Sequence, residues 1–206
     1  MKKIMSNDHY GLTEAVLEKR KTMTRRVERI DFYPGSREEQ IEKFCKRSAT
    51  DAKGRQVWLG FDNKGNWIAQ LISHYAIGEE VAVAQSYKSI VEQDPDNDYG
   101  NYFVKQFRYA PGWTNKMFVH AELMPHRIRI TNIRVERLQD ISDEDCMKEG
   151  ISFYNCGIDF GYKVFGIRGT FSSAKEAFAA LIDKVSGRGT WKRNPWVFVY
   201  EFELVK

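Results

Sequence analysis

The sequence predicts an α+β fold in which a small mixed β-barrel carries its helices on the outside. Three observations lead there. Short strand-like segments alternate with short helices along the chain. There is no repeated βαβ unit and no glycine-rich phosphate loop. The 206 residues, 42% hydrophobic and 14% aromatic, suffice for a real core, so the chain reads as one domain, or one domain with a substantial insertion.

Residues 10–20 place Leu12, Ala15 and Val16 on one helical face. Residues 22–30 alternate hydroxyl or charge with Met23, Val27 and Ile30 and read as a strand. Pro34-Gly35-Ser36 is a turn into a charged helix with Ile41, Phe44 and Cys45 facing inward. Residues 56–61 and 66–72 flank Asp62-Asn63-Lys64-Gly65, a strong hairpin signal. A turn over 76–80 leads into a third strand at 81–85. From about 88 to 116 the chain is polar, turn-rich and aromatic (DPDNDYGNY, YAPGWTN), the composition of an insertion or flap. Order returns at 116–119 and in a long strand from Arg127 to Leu138, threaded by Ile128, Ile130, Ile133 and Val135. Ser142 caps a short helix with Asp145 at the capping-box position, and Gly150 ends it. Irregular strands fill 151–168. Ser172 or Ser173 starts the helix AKEAFAALIDKV, Gly187-Arg188-Gly189 ends it, and a strand over 197–204 closes the chain.

A net charge of +4 is mildly basic and fits contact with phosphate without demanding it. Its distribution is more informative. Lys and Arg crowd the first thirty residues and return at Arg127, Arg129, Arg134 and Arg137, so two strands form a basic patch. The N-terminal stretch has no apolar core of signal-peptide length, and no window approaches a membrane span. Three cysteines, Cys45, Cys146 and Cys156, form no CxxC pair. They read as reduced thiols of a cytoplasmic protein, with no metal site and no cofactor expected.

The most informative segment is Lys21-Thr22-Met23-Thr24-Arg25-Arg26, where the first helix gives way to a strand. Lys21 and Thr24 suit acid/base or nucleophile work, and Arg25 and Arg26 suit an anionic ligand. The plainer reading is a solvated basic corner, with Lys21 at a helix C-terminus and Thr24 as a β-former. On a strand, positions i and i+3 face opposite ways, so Lys21 and Thr24 converge only if the chain turns or bulges between them.

In order, the helix, KTMTRR, Gly78-Glu79-Glu80-Val81, MPHRIRI (124–130), RVERLQDISDEDCMKEGI (134–151) and WKRNPWVFVYEFE (191–203) resemble the ASCH-domain proteins of bacteria and their phages. The resemblance runs from about residue 10 to the C-terminus, interrupted at about 31–75 and 88–116, and implies a single PUA-like β-barrel over 1–206, related to RNA-binding domains, with insertions at those two segments. One branch of that family hydrolyses the amide of N-acetylated cytidine, without a metal, through a Lys and a Thr in a K-T-x-T segment and a later Glu. The matching positions are Lys21, Thr24 and Glu149, with Glu144 or Asp145 as the alternatives one turn away. Related members carry Arg-Glu where this chain has Ala84-Gln85, and Gln85 keeps hydrogen bonding without ionising.

The resemblance supports two activities. In an amidohydrolase, Thr24 or a water it orients attacks the acetyl carbonyl, Lys21 is the base, and Glu149 orients Lys21 or shuttles the proton. A free lysine titrates at about 10.4, so Lys21 has to be depressed by burial or by Arg20, Arg25 and Arg26, while Glu149 pushes the other way. In a non-catalytic RNA-binding module, Arg25, Arg26, Arg127 and Arg129 hold phosphate, and Tyr87, Trp113, Tyr154 or Trp191 stack bases. Trp191 and Trp196 also read as packing at the barrel end. A third class, a phage or host interaction protein, would use the 88–116 segment.

Overall fold

The computed structural model describes residues 1–93, 104–157 and 160–205. The fold is mixed α+β, built among the described residues on three sheets. The central sheet has the order β1 (Lys3–Ile4), β7 (Glu80–Val83), β8 (Arg127–Arg137), β11 (Trp196–Leu204), β2 (Met23–Val27). Only the β1–β7 pair is parallel. Among the described residues β1 and β2 remain its edges, and no ladder joins them into a closed barrel.

β11 explains the layering. Its run Trp196-Val197-Phe198-Val199-Tyr200 is apolar without alternation and fully buried, as a strand covered on both faces requires. Phe198, Tyr200 and Phe202 face one side, where they meet Ile128, Ile130 and Ile133 of β8 and Trp58 and Leu71 of a second sheet. Val197 and Val199 face the other, against α3 (Asp143–Lys148) and α4 (Ala174–Val185), with Cys146, Ala177, Phe178 and Leu181.

The second sheet is segment 31–75, which folds as an antiparallel layer in the order β3 (Asp31–Phe32), β6 (Trp67–Ile72), β5 (Val57–Phe61), β4 (Lys43–Lys46). The expected 56–61/66–72 hairpin is its centre. The expected charged helix after Pro34 is corrected: one 3-10 turn, Glu38–Gln40, leads into β4, with Ile41 buried and Cys45 exposed. Positions 41, 44 and 45 imitate helical spacing, but pairing with β5 gives Phe44 and Cys45 opposite faces. Phe44 packs edge-on against Trp196.

Part of segment 88–116 packs on the central sheet, while Tyr109 stands exposed. α2 (Tyr87–Gln93) and the 3-10 turn Pro111–Trp113 close over Ala82, Ala84, Val119 and Met124. The DPDNDYGNY stretch lies outside the described residues. β9 (Ser152–Asn155) and β10 (Phe160–Lys163) form a hairpin, and α1 (Leu12–Leu17) buries Leu12, Ala15 and Val16, as the sequence pattern requires.

Candidate active site

The junction between α1 and β2 turns just ahead of Lys21. Lys19 takes a left-handed φ of 61°, and the amides of Arg20 and Lys21 both donate to the Ala15 carbonyl, at 2.9 and 2.8 Å. The Thr22 amide then donates to the Lys148 carbonyl at 3.0 Å, which docks the junction on α3. Lys21 is thereby carried inward and left 3% exposed.

Its ammonium donates to three acceptors: Glu149 Oε2 at 2.6 Å, the Glu149 carbonyl at 2.9 Å and the Met23 carbonyl at 2.7 Å. Of the three carboxylates that matched the third position, Glu149 is the one paired with Lys21. Gly150 makes the approach possible: at φ 103° it lies where a Cβ would meet Leu12 at 3.2 Å and the Lys21 stem at 3.8 Å. Burial pushes the Lys21 amine below its ordinary value. The Glu149 charge and hydrogen bond oppose that shift, and Arg26 and Arg25 add to it.

Lys21, Thr24, Arg25, Arg26 and Glu149 line one cavity of about 370 Å³. Its apolar wall is the inner face of α4, through Phe178, Leu181, Ile182 and Val185, and its lip is Met5-Ser6-Asn7. Thr24 is 8% exposed, and its hydroxyl makes no hydrogen bond among the described residues. Arg26 donates through Nη2 to the Met5 carbonyl, and its buried Nε has no partner among the described residues.

Arg25 takes a different role from the one expected. Its guanidinium is wholly buried and divided among Glu136 at 2.6 Å, Asp145 at 2.9 Å and Glu149 at 3.2 Å, so its charge is not offered to phosphate. Arg134 extends the network to Glu136, Asp145 and Glu201. The register explains the assembly. Arg25, Val199 and Arg134 stand in one row across β2, β11 and β8, with Glu136 one row along on the same face. Ser142 caps α3 as expected, while the Asp145 carboxylate turns to the two arginines. Burial raises the Asp145 carboxyl, but the hydrogen bond from Arg25 and the charges of Arg134 and Arg25 prevail and hold it below the usual range.

The other expected ligand residues do not line this cavity. Tyr87 is 3% exposed and stacks on Phe107 at 4.3 Å, within the α2 cluster. Trp113 packs against that cluster, and Gln85, fully buried, donates to Gln93 at 2.8 Å. Arg129 is exposed and shared between Glu80 and Glu203, and Arg127 lies beside Ala82 at the far end of β8. Trp191 packs edge-on against Phe178. Tyr154 sits under the Lys163 ammonium, on the β9–β10 hairpin. Burial pushes the Cys146 thiol up to about 12, which makes it a packing residue rather than a nucleophile.

Sequence reasoning missed Glu136 and Arg134 as partners, although their i,i+2 spacing on a strand put them on one face. It also missed Lys116, whose buried ammonium holds the lip through the Ser6 carbonyl, Asp8 at 2.7 Å and Thr13 at 3.1 Å. Among the described residues no group of His, Cys, Asp and Glu is placed to hold a metal ion, and no helix is long and apolar enough to cross a membrane. No protein-family model, curated protein or solved structure matches the chain.

Proposed function

We propose that the cavity binds an N-acetylated cytidine and hydrolyses its amide, on a PUA-like framework of the ASCH type working in the cytoplasm. The observation that carries this reading is the convergence of Lys21, Thr24 and Glu149 on one cavity, with the Thr24 hydroxyl free to react. Its volume, about 370 Å³, lies within the ordinary range for small-molecule sites, and one apolar wall facing a few polar groups is the usual composition of such a site.

The steps follow from the groups present. Lys21 in its neutral form takes the Thr24 hydroxyl proton as the oxygen bonds to the acetyl carbon. The ammonium so formed meets three ready acceptors, which stabilise it. Lys21 then gives that proton to the cytidine nitrogen as the C–N bond breaks. Water attacks the acetyl-Thr24 ester with Lys21 again as base, acetate leaves, and the proton returns to Thr24. Arg26 supplies a guanidinium edge for the oxygen that gains charge.

An extended RNA strand fits less well, because the charges of Arg25 and Arg129 are already shared with carboxylates. The test is incubation of the protein with N-acetylcytidine, with cytidine followed by chromatography. Release of cytidine that Lys21→Met abolishes supports the amidohydrolase. Folded protein that releases none leaves binding alone.

A further inference from the structure

Among the described residues β2 is an edge strand whose one ladder is with β11. The register sets Thr24 opposite Tyr200 and Arg25 opposite Val199, and the Phe202 amide donates to the Thr22 carbonyl at 2.9 Å. Antiparallel partners alternate between bonded and non-bonded pairs. Thr24 and Arg26 therefore turn their backbone groups to β11, while Met23, Arg25 and Val27 turn theirs to the free edge. The Met23 carbonyl agrees with this parity, since Lys21 Nζ donates to it at 2.7 Å. Arg25 and Val27 keep N–H and C=O groups that meet no partner among the described residues. Both residues line the cavity.

A carbonyl at position i and an N–H at i+2 point the same way from a strand edge, one acceptor beside one donor. The Met23–Arg25 pair is half closed, because Lys21 occupies its carbonyl. The Arg25–Val27 pair is open. From the reading of the cavity as a nucleoside site, we infer that this backbone pair reads the base. The Arg25 carbonyl accepts from an exocyclic N–H, and the Val27 N–H donates to the neighbouring ring nitrogen. Cytosine and adenine present that order of donor and acceptor, and uracil presents the reverse. Backbone reading also fits the side chains: with Arg25 tied to three carboxylates, it has no guanidinium donor to spare for the base.

The test is amide hydrogen exchange, read residue by residue, on the whole protein with saturating cytidine, adenosine or uridine. In the free protein the Val27 amide, without a partner among the described residues, should exchange quickly. The inference expects cytidine or adenosine to slow Val27, with uridine binding at least tenfold more weakly. The expected difference between cytidine and adenosine is smaller, and it identifies which base the rest of the cavity fits. Val27→Pro removes that one donor at a ladder-free position of an edge strand, where proline is tolerated. It should weaken cytidine about tenfold, the worth of one hydrogen bond, and 3-deazacytidine, which lacks the ring acceptor, should lose nothing further. Cytidine bound with Val27 unprotected, or uridine bound equally well, overturns the inference and leaves the amidohydrolase reading standing. Absence of binding by any nucleoside, including the acetylated one, overturns both.

Discussion

At Lys21 the amine sits between opposing influences, and their balance decides what it can do. Burial disfavours the ammonium, while three acceptors favour it. Burial prevails, which puts the amine below its ordinary value of 10.5 and gives it a neutral fraction closer to physiological pH. In the proposed reaction the neutral form is the base, so kcat/KM should rise with pH and level off below 10.5. Arg26 adds to the depression, so Arg26→Gln should move the rising limb to higher pH. A pH–rate profile checks this, and a limb that stays in place would separate Arg26 from the base.

At the scale of elements, β2, β8 and α3 are held together by a charge network whose hub is Arg25 and whose inner end is Lys21–Glu149. Removing one partner of a buried pair is costly because the other charge is stranded, whereas removing a partner whose mate has a second counterion costs less. Glu149→Gln leaves Lys21 without its carboxylate and should destabilise the fold by about 3–5 kcal/mol in urea titrations. Lys21→Met leaves Glu149 still paired with Arg25 and should cost clearly less. Equal losses would contradict this ordering. These contacts were only partly legible beforehand. KTMTRR and the carboxylate at 149 stood out by residue type and spacing. Glu136 meets Arg25 through strand register, which brings together residues more than 100 positions apart, and Asp145 meets it from α3. Tyr87 and Trp113 misled for the opposite reason: a polar, turn-rich neighbourhood looked exposed, yet α2 folds it onto Ala82 and Ala84.

For the whole molecule, the central strand β11 was readable as a continuous apolar run, and the 56–72 hairpin from its turn residues. That the second sheet covers one face of the first depends on Trp58, Phe198 and Tyr200 meeting across layers, which no single window displays. The network couples the fold to acid. The Asp145 carboxyl is depressed in the folded state, so its contribution to stability is present above the unfolded value of about 3.9 and is lost as pH falls through the lower folded value. Asp145→Asn should lower the melting temperature at pH 7 and flatten its fall at acid pH, as thermal melts across that range would show.

The most direct measurement of the central claim is turnover of N-acetylcytidine by the wild type and Thr24→Val, with melting temperatures alongside. Valine keeps the shape and β-branching of Thr24 and removes a hydroxyl that makes no hydrogen bond among the described residues, so the fold should be unharmed. The account predicts cytidine release by the wild type, none above background by the variant, and equal melting temperatures. Undiminished turnover by Thr24→Val would contradict it.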